Sequence, residues 1–143
     1  MKTITVLILV ALGGLGAPQA CEPANISVKE VAAYRFAGRQ WKAITVPAKL
    51  SRECLIALAE SMHANEPATA FEFFDAESKD LHLYLNCESS GDEKAIACKL
   101  YSQKWIDKHL IAAVQPWDHC GTWTLLTGKR ESIKRLEAER CAR

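Results

Sequence analysis

Apolar and polar positions along this chain follow two periods, and the alternation between them sketches a fold. From Val28 the period is two: Ala32, Tyr34 and Phe36 share one face of a first strand. Gly38-Arg39 predicts a two-residue turn, with glycine first as a type II′ turn requires. Gln40 to Val46 is the returning strand, with Ile44 and Val46 alternating around Thr45, and Pro47 ends it because it has no amide hydrogen for a ladder. The period then changes. Ser51 reads as an N-cap, and Leu55, Leu58, Ala59 and Met62 fall at i, i+3, i+4 and i+7, which predicts a helix to about His63 with one buried stripe. Cys54 borders that stripe, in position to be tied to the layer beneath. Pro67 stops the helix. Thr69 to Phe74 returns to period two, with Phe71 and Phe73 on one face.

The second half is less regular. Leu81, Leu83 and Leu85 alternate as in a strand, but Asp75-Ala76-Glu77-Ser78 reads as a helix start, so residues 75–86 are assigned a short helix. Residues 88–93 form a polar turn. Ser102 caps a short helix through His109. Leu110 to Val114 is wholly apolar and therefore belongs in the centre of a sheet. Gln115 to Gly121 is a loop, and Trp123 to Thr127 is the strand that returns from it. After Gly128 the tail is expected to be helical, with Ile133 and Leu136 facing in and Glu131–Arg135 as an i,i+4 ion pair. The expected class is α+β: a mainly antiparallel sheet of about five strands with helices packed on one face.

The N-terminus adds a compartment. Met1-Lys2 is followed by an apolar run from Ile4 to about Gly16 and then by small residues, the layout of a secretory signal peptide. Cleavage is expected after Ala20, with Ala17 as the second candidate. The chain then divides into a signal at 1–20 and one domain at 21–143, with no transmembrane span in the mature part. All six cysteines, Cys21, Cys54, Cys87, Cys98, Cys120 and Cys141, lie after the leader. An even set in an exported chain predicts a disulfide framework. Cys87 and Cys98 flank the turn-like Ser89-Ser90-Gly91-Asp92 and are the first expected pair. Cys141 would pin the C-terminal helix to the body. Lipidation of Cys21 as the first mature residue is an alternative, but it would leave one odd thiol.

Charge narrows the partners. The chain has 18 Lys and Arg against 17 Asp and Glu, and Lys2 leaves with the signal, so the mature domain is formally neutral. That balance gives no footprint for nucleic acid and no attraction to an anionic membrane. Asn25-Ile26-Ser27 fits a glycosylation sequon, which matters only in a eukaryotic host.

Candidate chemistry is sparse. His63, His82, His109 and His119 form no close ligand pair, and no metal or cofactor is expected. His63 near a helix end complements the helix dipole, and His109 at a helix-to-strand junction is expected to hydrogen-bond backbone. Asp118-His119-Cys120 offers an acid, a base and a nucleophile in name only, because adjacent residues on an extended chain point apart and a bridged sulfur is no thiolate. Glu72 and Asp75 flank an aromatic strand and would be the carboxylates of a glycan-cleaving site. The loop 115–121 is the strongest candidate for recognition, since it would be displayed on two core strands. Trp117, Asp118 and His119 are its expected binding residues, against the plainer reading that Trp117 covers a Cys120 disulfide. Trp41, Trp105 and Trp123 are expected in packing.

Two stretches carry a family resemblance: Val46-Pro47-Ala48-Lys49-Leu50-Ser51 with Leu55-Ile56-Ala57-Leu58-Ala59, His63 and Phe71-Glu72-Phe73-Phe74-Asp75, and Lys104-Trp105-Ile106-Asp107-Lys108-His109-Leu110-Ile111-Ala112. Together, over roughly residues 44–126, they resemble a group of small exported bacterial domains with no assigned activity. The resemblance implies a bacterial host and a periplasmic or secreted location. The cysteines are not a feature of that group. The expectation is a non-enzymatic module that binds another protein, as an inhibitor or immunity-type protein of the envelope. The alternatives are a small envelope hydrolase whose acids or histidines assemble from afar, and a lipid-anchored structural protein.

Overall fold

The computed structural model describes residues 21–77, 79–81, 104–138 and 141. The expected leader, the expected Cys87–Cys98 bridge, His82, Ser102 and half of the expected 75–86 helix lie outside the described residues. Strands β1 (Lys29–Phe36), β2 (Arg39–Thr45), β3 (Thr69–Phe74), β4 (Leu110–Pro116), β5 (Trp123–Thr127) and β6 (Ser132–Arg135), with helix α1 (Arg52–Asn65), make up the frame. The strands form one six-stranded sheet in sequence order. The class is α+β, but the expected five-stranded, mainly antiparallel sheet is corrected to a larger mixed one. β2 and β3 run parallel, in register from Gln40↔Thr69 to Thr45↔Phe74, while the other neighbours are antiparallel. A parallel pair cannot be joined by a hairpin and needs a crossover, which is what α1 supplies.

The hairpin turn is one residue earlier than expected. Phe36 pairs with Arg39, so the loop is Ala37-Gly38, with φ of 50° and 76°. Positive φ at both positions is the type I′ pattern, whose twist matches the flanking strands. Arg39 is thereby released from the turn to begin β2.

Ser51 caps α1 as its sequence predicts, its hydroxyl accepting from the Cys54 amide at 3.2 Å. Leu55, Leu58 and Ala59 are buried, with Met62 packed at their edge. They meet Ile44, Phe71, Phe73, Val114 and Leu125 in the larger core. Ala43 and Phe74, next along the same strands, point the other way and form a second core with Leu81 and Trp105. Residues 104–109 are helical, so Trp105 brings a helix to the opposite face from α1. The expectation of helices on a single face is corrected accordingly: strands apolar on both sides need cover on both.

The tail departs most from its expected form. Residues 132–135 form β6, not a helix, paired with β5 from Thr124↔Arg135 to Leu126↔Ser132. Ile133 and Leu136 still reach the main core. Glu131 and Arg135 no longer face each other across a helical turn, since four residues of strand span about 13 Å. Tertiary pairing overrides the helical pattern because β5 would otherwise expose a backbone edge. The turn is closed by the Glu131 amide donating to Thr127 Oγ1 at 3.0 Å and by Gly128 N–H donating to Ile111 O at 2.8 Å. Gly128 lies so close to the Leu110 carbonyl that a Cβ there would overlap its oxygen.

Two disulfides lie among the described residues. Cys21–Cys54 closes 33 residues with Cα atoms 5.1 Å apart, and Cys120–Cys141 closes 21 with Cα atoms 5.5 Å apart. The first ties the N-terminal segment to the first turn of α1, and Ile26 packs on the core, so this segment is anchored at two points. The second ties the chain end to the β4–β5 loop. Among the described residues no helix is long and apolar enough to cross a membrane.

Two substitutions test this frame. Ala37→Asn, which tolerates left-handed backbone better than alanine, should raise stability by about 1 kcal/mol and the thermal midpoint by roughly 2–5 °C. Gly128→Ala should lower stability by about 1–3 kcal/mol through overpacking against β4. Urea unfolding of both variants beside the wild type checks the opposite signs.

Candidate functional site

The parallel pairing places the starts of β2 and β3 at one end of the sheet, where β4 also ends and β5 begins. Three connections therefore meet there: the Ala37-Gly38 turn, the link from α1 to β3, and the β4–β5 loop. Between them lies an open cleft of about 500 Å³. The hairpin contributes Arg35, Gly38, Arg39 and Gln40, the α1–β3 link Pro67 and Ala68, and the third connection Pro116, Gly121 and Trp123.

Trp123 is the floor of this end. It is 4% exposed, its ring lies 5.0 Å from that of His63 in the last turn of α1, and the Arg39 guanidinium sits 4.9 Å from its centroid. Its amide donates to Glu137 Oε1 at 3.1 Å. His63 is thus a buried packing residue at the helix end. The Arg39 guanidinium over the indole face makes a cation–π contact.

The β4–β5 loop is fixed from within. Asp118 Oδ1 accepts from the Thr122 amide at 2.9 Å and the Cys120 amide at 3.0 Å. The Trp117 amide donates to Thr122 O at 3.0 Å, and the Gly121 amide donates to Asp118 O at 2.9 Å. Gly121 turns the chain at φ 68°. The Thr122 amide, foremost, holds the Asp118 carboxyl below the ordinary aspartate range, with the Cys120 amide and nearby Arg135 acting in the same direction. Of the three residues expected to bind, Asp118 shapes the loop, His119 is exposed on it, and Trp117 presents a 43% exposed indole beside the cleft.

Other expected chemistry is distributed elsewhere. His119, Cys120 and Cys141 bring their ligand atoms within 4.8 Å of one another, but the two sulfurs are bonded together and offer no thiolate. The carboxylates flanking the aromatic strand are both engaged: Tyr34 Oη donates to Glu72 Oε2 at 2.6 Å, and Asp75 Oδ1 pairs with His109 Nδ1 at 2.9 Å. The His109 imidazole, expected on backbone, thus meets a side-chain carboxylate instead; its backbone carbonyl accepts the Asp75 amide, and its ring lies 4.8 Å from Trp105. This pair sits past the far end of β3, away from the cleft. Trp41 and Trp105 join the packing, as expected.

Sequence reasoning missed Arg35 and Arg39. Nothing local marks them, because the cleft exists only once the strands from β2 to β5 are assembled in one sheet. Compared with protein-family models, with curated proteins and with solved structures, the chain matches none.

The Asp118 contacts give a pH signature. A carboxyl whose folded pKa lies below its unfolded value contributes stability that is fully present above the unfolded pKa and is lost as pH falls through the folded one. In an NMR titration, Asp118 should have its midpoint below 3.8. The Cys120 and Thr122 amides should shift with it, and Asp118→Asn should abolish that coupled transition. A midpoint at or above the ordinary value would show that the amides do not hold the charge.

Proposed function

We propose that this protein is an exported binding module that captures another protein with the end of its sheet, as an inhibitor or immunity-type protein of the bacterial envelope. The observation that carries this reading is the exposed Trp117 on a loop held by Asp118 and by the Cys120–Cys141 bridge, next to an open cleft. Partly exposed aromatics on rigid loops make effective anchors because little conformational entropy remains to be lost on binding. The leader-like N-terminus, the disulfides and the resemblance to small exported domains support a periplasmic or secreted location. The lipid-anchored alternative loses support, since the Cys21 sulfur is bonded to Cys54 and is not available for a thioether. The hydrolase alternative rests on the Asp75–His109 pair, in which an acid meets an imidazole.

The test is capture of partners from envelope extract by the oxidised mature protein and by Trp117→Ala. Removing a central aromatic anchor should cost roughly 2 kcal/mol or more, about a thirtyfold loss in affinity, with the thermal midpoint unchanged. Equal recovery of the same partner by both proteins would remove Trp117 as the anchor.

A further inference from the structure

The cleft beside Trp117 has a chemistry of its own. Its charged lining consists of Arg35 and Arg39, with no carboxylate among the lining residues. Neither arginine takes part in an ion pair among the described residues. Several other basic side chains also lack an ion pair among the described residues, but these two line the same concave space. The acids near this end are committed elsewhere: Asp118 to the Cys120 and Thr122 amides, and Glu137 to the Trp123 amide. Lys42, further along β2, is by contrast compensated by Glu30 at 3.1 Å and Glu66 at 2.7 Å. Among the described residues, two positive charges therefore share one concave place with no ion-pair partner.

The walls refine the ligand. Pro67, Pro116 and Trp123 add stiff apolar groups to a lining that also holds the two arginines and Gln40. Arg39 is already stacked at 4.9 Å over Trp123, so less side-chain freedom is lost when its N–H fork closes on an acceptor. A cationic rim over apolar walls suits a carboxylate carried on methylenes. A polyanion backbone would need a continuing track of cations, and the neutral composition does not supply one.

We infer that the cleft is a carboxylate-recognition site, in which Arg35 and Arg39 receive a glutamate- or aspartate-bearing segment of the partner protein. This deepens the proposed function and rests on reading this end of the sheet as the binding face. It adds the partner's chemistry: an acidic segment entering the cleft while Trp117 packs beside it.

The test uses the oxidised mature protein and three probes: an end-blocked hexaglutamate peptide, the matching hexaglutamine peptide, and inorganic phosphate. Titrations are followed by the arginine Nε–H and tryptophan indole NMR signals. Hexaglutamate should move the Arg39 and Trp123 signals saturably, with affinity falling as salt rises. Arg39→Gln should weaken it at least tenfold, Arg39→Lys by less, and the double Arg35→Gln/Arg39→Gln variant should abolish it. Arg35→Gln and Arg39→Lys keep the test valid if Arg39→Gln disturbs the Trp123 stack. Equal binding of hexaglutamine, undiminished binding by the double variant, or no saturable shift would overturn the inference. Tighter binding of phosphate at the same signals would overturn the carboxylate assignment. Trp117→Ala should leave hexaglutamate binding intact, so failure of the cleft and failure of the Trp117 anchor are separately visible.

Discussion

The parallel pairing of β2 with β3 is the constraint on which the rest of this structure depends. Antiparallel neighbours return through tight turns, but a parallel neighbour must be reached by carrying the chain back over the sheet. Helix α1 does this, and in doing so buries Leu55, Leu58 and Ala59 against Ile44, Phe71 and Phe73. The same pairing brings the starts of both strands to one end, next to the β4–β5 loop. Had β2 and β3 been antiparallel, the Ala37-Gly38 turn and the Pro67-Ala68 link would lie at opposite ends, and Arg39 would not meet Trp123. The core and the cleft are two results of one topological choice.

Much of the frame was legible because its signals are local. Ser51 is a cap whose partner is three residues away. The stripe from Leu55 to Met62 and the alternation of Phe71 and Phe73 are periodicities within single elements, and the apolar run Leu110 to Val114 in β4 announces its own central place. The errors arose where a pattern's meaning is set by a distant neighbour. Residues 131–136 carry apolar positions that suit a helix face, yet the unpaired edge of β5 makes them a strand. The turn at Ala37-Gly38 moved by one residue because strand twist favours two left-handed positions, even though one is an alanine. Strand order, which decides whether the sheet is mixed, has no local signature at all.

The candidate site divides in the same way. The β4–β5 loop could be singled out from its length, its tryptophan and its place between two apolar strands. The roles inside it could not: Asp118 looked like a binding group, and folding turns its carboxylate onto two backbone amides. His109 looked like a backbone partner and is also an imidazole paired with Asp75 across 34 positions of sequence. Arg35 and Arg39 acquire meaning only from Trp123 and the two prolines, which come from two other connections.

Disulfide placement joins stability to recognition. A small domain must offset a large conformational entropy with a modest core, and bridges help by restricting the unfolded chain, each by about 2–4 kcal/mol. Cys21–Cys54 lies at the start of α1, remote from the cleft in the fold, and Cys120–Cys141 lies in the loop that borders it. The second bridge holds the chain end against the connection that carries Trp117, and the Asp118 bonds stiffen the same connection from inside. A loop restrained both covalently and by hydrogen bonds gives up little entropy when a partner closes on it. That economy matters most for a domain of this size, where a flexible binding loop would draw on a small stability margin. The same restraint keeps the Asp118 carboxylate on the Cys120 and Thr122 amides, so the geometry that steadies the loop commits its acid, and the cleft arginines beside it have no ion-pair partner among the described residues.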